Sequence, residues 1–566
     1  MRASRPGLRA QPPGLAAIRL SEATGPVTLD ATSVACVAAT AAATAFLAVR
    51  VVPDVTAKPL FEDEAVAGLV AARPLPELLQ TVMEERGGSP LHFVLAHASL
   101  ALDPSAFALR WLAVLFALAT IPLCFDIGRR LAGPLAGGVA AWVAASSSLL
   151  GVYGSFGRMY SLYAFAAALA VDLFLVALER RTATAAFVAA LAAWLVPAVH
   201  PYGGILVAAE LIVALFLWRG RGLRAALPVA AVGVAMIPFA WADLRLAERF
   251  SVGTDGEARL AAPSDAWNQL GRALAASAGG QGVMFMLALA LVGIGALVLA
   301  RSRTPFVAVA AAALLAPPVL LVLLRSEIEP ELSPRHLMYA LPLAAAFIGA
   351  AVARMLRDAP IAGRAVALGL LLVIAFLAPF GGIRDPRNWP NDVLGGGPSA
   401  TALGSEARLA DPSTWLRRTV EAEDVLYPYS PVFLGALDVT RRAHTLPYSQ
   451  TSLLLRSLER IDSPVERIIV SVPVGDALLD LDQLRERLGS RFEPHPFGPW
   501  LLIEGRGPFF DDHTVLVAIY HALASARSSI LAPKDELTWY FRVTLSSLCG
   551  SVRAYGDSCP PRWHGR

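Results

Sequence analysis

Four short stretches of this sequence carry side chains able to do acid–base or anion chemistry. Phe61-Glu62-Asp63-Glu64-Ala65 sets three carboxylates side by side. A carboxylate facing a water-filled cleft can take a proton from a hydroxyl; Asp63 is the first choice for that task and Glu64 the second. The alternative is structural: Asp63 caps a helix starting at Glu64, whose first turn favours acids through the helix dipole. Gly157-Arg158-Met159-Tyr160, His200-Pro201-Tyr202-Gly203-Gly204 and Ser333-Pro334-Arg335-His336 each stand at the start of a long apolar run. Each therefore sets a helix N-terminus, with unpaired N–H groups and partial positive charge, beside an Arg or His, which makes an anion site. The plainer reading is that Arg158, Arg335 or a tyrosine only snorkels to lipid headgroups. Three such termini with an acidic cluster opposite are the parts that a phosphate-bearing substrate beside a carboxylate base would need.

The elements that must position these residues are membrane spans. The chain has 566 residues, of which 56% are hydrophobic and 16% charged, with a mean hydropathy of +0.55. Charge is thus confined to punctuation between apolar runs, as in a polytopic membrane protein. The net charge of +3 comes almost wholly from arginine, Lys58 and Lys534 being the only lysines. Those arginines sit in loops, so no nucleic-acid face is implied. Apolar runs near 32–52, 107–127, 134–152, 160–178, 184–199, 203–218, 225–242, 283–300, 305–324, 337–355 and 365–383 make about eleven spans. A cleaved signal peptide is the rival reading of the first.

Arginine placement orients the spans. Arg129 and Arg130, Arg180 and Arg181, Arg219 with Arg221 and Arg224, Arg301 and Arg303, and Arg354 with Arg357 and Arg364 fall in alternate gaps. With Arg2, Arg5, Arg9 and Arg19 of a polar, Pro/Gly-broken leader (1–30), they mark the cytoplasm. Leu91 to Leu102 is about 18 Å long as a helix, against a hydrocarbon core of about 30 Å, and is placed along the outer interface. Leu75, Leu78, Leu79, Val82 and Met83 recur as on one face of an amphipathic helix, so the first outer loop (53–106) contains two membrane-hugging helices. That loop and the spans form one unit over 31–384.

An odd number of spans leaves residues 385–566 as an extracytoplasmic domain. Ile468 to Val474 and Trp500 to Ile503 read as strands, Leu481 to Leu488 and Thr514 to Ala526 as helices, which predicts a small α/β unit. Cys549 and Cys559 in its tail are disulfide candidates, while Cys36 and Cys124 lie within spans. There is no C-x-x-C, H-E-x-x-H or G-x-x-x-x-G-K pattern.

The order of these pieces resembles the GT-C membrane glycosyltransferases, in particular the bacterial branch similar to protein O-mannosyltransferases and the lipid A aminoarabinose transferase. Asp63-Glu64-Ala65 matches that family's Asp-Glu pair followed by Ala in the first outer loop, and Ser89-Pro90-Leu91 its Pro-Pro-Leu-type interfacial helix. Arg158-Met159-Tyr160, His200-Pro201-Tyr202 and Pro334-Arg335-His336 match three later stretches, with His336 in place of the usual tyrosine and Ser89 in place of the first proline. The likeness covers most of residues 30 to 385.

The resemblance implies an α-helical polytopic GT-C-like fold and transfer of a sugar, with inversion, from a polyprenyl-phosphate-linked donor to an acceptor hydroxyl of a lipid, glycan or protein. Asp63, then Glu64, would be the base. Arg158 and Arg335 would bind the leaving phosphate, whose charge grows in the transition state. Tyr160, Tyr202, His200 and His336 would bind sugar or phosphate. No cofactor is required by the sequence; a divalent cation stays open, although the second outer loop lacks the acid that some relatives carry beside their arginine. The amphipathic helix would guide the carrier lipid, and the loop from Asp243 to Gly282, with Trp267, Leu270 and Leu274, would close over it. Two other classes stand beside this one: a multi-pass transporter or lipid flippase using Asp172 and Glu210, and a non-catalytic scaffold displaying the C-terminal domain.

Overall fold

A computed structural model describes residues 31–57, 60–85, 88–218, 283–323, 334–358, 406–447, 451–531 (bar 463 and 476) and 535–555, with isolated residues in 231–242, 360, 361 and 369. The leader, most of the expected spans at 225–242 and 365–383, and the loop from Asp243 to Gly282 lie outside these. Every other expected span falls on a helix. The order is α1 (Ala31–Val51), α2 (Asp54–Ala57), α3 (Glu62–Ala71), α4 (Leu75–Glu85), α5 (Leu91–Leu102), α6 (Ala106–Ala132), α7 (Pro134–Ser146), α8 (Ser148–Tyr153), α9 (Tyr160–Arg180), α10 (Ala183–Val199), α11 (Gly203–Trp218), α12 (Val283–Ala300), α13 (Thr304–Leu323), a 3₁₀ helix at Pro334–Ala340, and α14 (Leu341–Asp358). Among the described residues, four helices are long and apolar enough to cross a membrane, at Val34–Ala57, Ala106–Ala132, Tyr160–Arg180 and Arg335–Asp358. Shorter apolar helices occupy most of the other expected positions.

Two departures from straight spans have local causes. The run 134–152 breaks at Ser147, whose hydroxyl accepts from the Leu149 N–H and so caps α8 at the expense of the α7 ladder. The run beginning at Pro334 starts as a 3₁₀ helix. Pro342, in the first turn of α14, has no N–H to offer the Met338 carbonyl, so the α-helical ladder cannot continue back through that point.

The arginine knots gather at one end of the bundle. Arg130 bonds Asp126 at 2.7 Å, Asp172 at 2.9 Å and Glu179 at 2.8 Å. Arg303 donates to the Arg130 carbonyl and Arg357 to the Ala132 carbonyl, each at 2.9 Å. Asp172 is thereby tied to an arginine of that end.

The C-terminal region is α/β, as its patterning predicts. It runs α15 (Glu406–Thr419), β1 (Val425–Tyr427), α16 (Pro431–Gly435), α17 (Leu437–Thr440), β2 (His444–Thr445), α18 (Thr451–Leu458), β3 (Val465–Pro473), β4 (Leu478–Leu479), α19 (Leu481–Leu488), β5 (Phe492–Phe497), β6 (Trp500–Phe509), α20 (Asp512–Ser529), β7 (Ile530–Leu531) and α21 (Asp535–Ala554). Five strands form one sheet in the order β2-β1-β3-β6-β5; β1 is parallel to β2 and β3, and β6 antiparallel to β3 and β5. Alternation along the strands gives the sheet two apolar faces. Ile468, Val470, Leu501 and Ile503 pack on α20 and α21, whereas Ile469, Trp500 and Leu502 join a core with Leu69 and Val70 of α3, Leu78 and Val82 of α4 and Phe93 of α5. The helices of the first loop are therefore shared between the bundle and this region. Cys549 is disulfide-bonded; Cys559 is outside the described residues. The Cys36 and Cys124 thiols are buried and outside any disulfide.

Candidate active site

The end of the bundle opposite the arginine knots brings the sequence-selected residues together. The α3 helix begins one residue before Asp63, and its first turn holds Glu62, Asp63 and Glu64. The helix is started by Glu64, whose Oε2 accepts from the Phe61 N–H at 3.1 Å; Asp63 does not cap it. Neighbouring carboxylates point to different tasks because successive helical side chains diverge by about 100°.

Glu64 turns inward and is 1% exposed. Arg110 of α6 grips it with a two-pronged ion pair, Nε to Oε1 at 2.9 Å and Nη2 to Oε2 at 2.7 Å, and Nη1 reaches the Val55 carbonyl at 2.9 Å. The Gly157 N–H donates to Glu64 Oε1 at 2.7 Å. Four donors thus meet the two oxygens of Glu64, the second-choice base of the sequence, and tie it to α6 and to the turn at Gly157. It fixes the backbone just before Arg158. Glycine at 157 suits this close approach, because a Cβ there would stand 3.0 Å from Glu64 Oε1 and 3.1 Å from Leu109 Cβ.

Asp63 faces the other way, half-exposed, with Oδ2 3.4 Å from Arg335 Nη1 of the 3₁₀ helix. The Arg335 guanidinium lies over the Tyr160 ring, 5.9 Å from its centroid. A chain of rings lines the same region: Phe61 to Phe156 at 5.5 Å, Phe156 stacked on Tyr160 at 6.2 Å, Tyr160 to His200 at 6.2 Å, and His200 to His336 at 5.5 Å. His200 stacks on Tyr163 at 4.8 Å, and Tyr202 stacks on His336 at 4.9 Å. His200, between α10 and α11, is held neutral: burial pushes it down to about 3, with the charges of Arg335 and Arg158 adding to the effect. Asp63, Arg158, Tyr160, His200, Tyr202, Arg335 and His336 thus share one end of the fold.

Sequence reasoning missed Arg110, His92 and Tyr163. A signal for Arg110 exists, since it is a charge inside an apolar run, and such a residue calls for a partner. His92 is 2% exposed in α5, and nothing in its surroundings in sequence marks it. Glu210, the other intramembrane acid, is 5% exposed in α11, and its Oε1 has no hydrogen-bond partner among the described residues.

For a divalent cation, Asp63 offers one carboxylate that already faces a guanidinium, a donor set suited to a cationic side chain rather than an ion. Among the described residues, the group with metal-ligand spacing is Glu493, His495 and Glu504, on β5 and β6, within 4.8 Å of one another. Arg506 already bonds both of its carboxylates at 3.2 Å.

This fold, a bundle of apolar helices with paired helices in the first loop and an α/β region docked on them, has counterparts among solved structures. Among solved structures the chain is similar to ArnT from Cupriavidus metallidurans bound to undecaprenyl phosphate, with a TM-score of 0.52 and 14% identity over 83% of this chain and 98% of that one. The apo state of the same protein gives 0.52 and 12%, over 84% and 98%. The oligosaccharyltransferase of Archaeoglobus fulgidus, in complex with Zn and sulfate, aligns more loosely, with a TM-score of 0.45 and 12% identity over 76% and 68%. No protein-family profile matches the sequence, and no curated protein does either.

Proposed function

We propose that this chain is an inverting glycosyltransferase that moves a hexosyl or pentosyl group from a polyprenyl-phosphate-linked donor to the hydroxyl of a lipid, glycan or protein acceptor. The reading is carried by one observation: Asp63 and Arg335, 272 residues apart, meet within 3.4 Å at the end of the bundle away from the arginine knots. In this reading that end faces outward in a multi-pass cell-membrane protein, with the N-terminus cytoplasmic and the C-terminal domain (385–566) extracytoplasmic. The fold shared with a protein solved with undecaprenyl phosphate supports the choice of donor.

The chemistry follows from the placement. An acceptor hydroxyl is a poor nucleophile at neutral pH, so Asp63 takes its proton as the oxygen bonds to C1 of the sugar; such base catalysis supplies about 10²- to 10⁴-fold. The C1–O bond to the carrier breaks on the opposite face, and the electron pair leaves with the lipid phosphate. Arg335 and Arg158 hold the charge that grows there. Arg335 Nη1 stands 3.4 Å from Asp63 Oδ2, so the two groups border the same space. Tyr160, Tyr202, His200 and His336 form a ring-lined wall against which a sugar can lie.

Purified protein incubated with a panel of polyprenyl-phosphate sugars and candidate acceptors should consume at least one donor, and Asp63→Asn should abolish that consumption. A panel on which wild type and Asp63→Asn behave alike would remove the proposal's basis. Of the two acids a transporter would use, Asp172 is paired with Arg130 at 2.9 Å, and Glu210 Oε1 has no hydrogen-bond partner among the described residues.

A further inference from the structure

We propose that His92 is a ligand, together with Arg158, for the phosphate of the lipid carrier; this assignment rests on the transferase reading above. His92 lies in the first turn of α5 and is 2% exposed, yet its Nε2 has no hydrogen-bond partner among the described residues. The Nε of Arg158 is likewise buried without a partner. Buried nitrogens are nearly always satisfied, because each has given up its water. Two orphans in one neighbourhood, from separate elements, point to a missing oxygen-bearing group.

The two side chains are neighbours: the charge of Arg158, added to burial, pushes His92 down to about 3. His92 is therefore neutral, with Nε2 able to carry a proton and donate it in a hydrogen bond. Its position is fixed from several sides. Ser89 Oγ donates to the Pro197 carbonyl at 3.1 Å, pinning the start of α5 beside the end of α10, three residues before His200. His97 Nδ1 contacts the Ala71 carbonyl at 2.8 Å, holding the next turn against α3. The Phe93 ring meets the imidazole edge-on at 5.6 Å. Arg158 is set from the other side, through Gly157 and Glu64.

An anion fits better than a neutral hydroxyl, since one of the two orphans, Arg158 Nε, belongs to a guanidinium that is charged at any physiological pH. A phosphate monoester offers several acceptor oxygens to a guanidinium and an imidazole at once. The helix carrying His92 belongs to the first loop, whose α4 exposes Leu75 and Leu79, so the phosphate is taken to be that of a lipid rather than inorganic phosphate.

The test is equilibrium binding of polyprenyl phosphate, uncharged polyprenol and inorganic phosphate to the full-length protein in lipid nanodiscs. His92→Phe, which keeps a ring and removes the nitrogen, should weaken polyprenyl phosphate at least about tenfold, the effect of one hydrogen bond to a charged group, while His92→Gln should stay within about threefold of wild type. Polyprenol should bind all three proteins alike, and inorganic phosphate far more weakly than the lipid. The unliganded His92→Phe protein should melt no earlier than wild type, since it loses no bond. Wild-type affinity for polyprenyl phosphate in His92→Phe would overturn the assignment and leave Asp63-dependent transfer standing. Failure of wild type to bind any polyprenyl phosphate would sink both, and inorganic phosphate binding as tightly as the lipid would overturn the lipid source.

Discussion

Asp63 and Glu64 are adjacent, alike in charge, and opposite in work. Glu64 is dry and saturated by Arg110, Gly157 and Phe61, whereas Asp63 is half-exposed beside one guanidinium. Asp63→Asn should lower transfer by about 10²-fold or more with an unchanged melting temperature, as expected for loss of a base. Glu64→Ala should instead cost about 3–5 kcal/mol of stability, because Arg110 would be left as a buried unpaired charge. Replacing both residues by methionine should restore much of that stability, and comparing the three melting curves checks it. If Glu64→Ala melts like wild type, the brace is misassigned. Gly157→Ala should cost about 1–3 kcal/mol, the usual penalty of overpacking, since its methyl group meets a carboxylate that Arg110 will not let move. Thermal unfolding in parallel with donor binding would read both the strain and the displacement of Arg158.

At the scale of elements, the site is built by unusual helix starts. Arg335 and His336 sit on a 3₁₀ helix, not on an α-helical first turn, and tighter winding brings residues three apart into line. The helices of the first loop are held from the far side by the C-terminal region: Arg73 donates to the Tyr429 hydroxyl at 2.9 Å and to the Thr445 carbonyl at 3.0 Å, and Arg460 pairs with Glu84 at 3.2 Å. Arg73→Ala should loosen that docking. Limited proteolysis in the 447–451 connection should quicken several-fold, and transfer should fall through KM, because α3 and α5 carry Asp63 and His92. Unchanged protease sensitivity would show that the apolar core between Leu434, Ile469 and α3 suffices alone.

At the scale of the molecule, the two ends differ in charge logic. One collects Arg129, Arg130, Arg303 and Arg357 around helix ends and acids; the other collects Asp63, Arg158, His200 and Arg335. In the topology proposed above, the positive-inside bias puts the first at the cytoplasm. Single cysteines at Ser302 and at Asp103 should therefore react with an impermeant maleimide from opposite sides of sealed vesicles. The native thiols Cys36 and Cys124 are buried and should stay silent. Labelling of both new cysteines from one side would invert or break the topology and the site's outward placement with it.

The sequence by itself determined the apolar helices seen among the described residues, the two short helices of the first loop, the α/β character of the C-terminal region and the stretches that meet at one end of the bundle. These are local properties, since hydropathy, period and charge are written in consecutive residues. Only the tertiary structure decided that Glu64 is buried against Arg110 while Asp63 is half-exposed beside Arg335, that Arg335 lies in a 3₁₀ turn, and that His92 is buried close to Arg158. Each of these depends on which distant side chain fills the space a residue faces: Arg110 lies 46 positions from Glu64, and Arg335 lies 272 from Asp63. Spacing along the chain is silent about such pairings, because packing, and not periodicity, selects them.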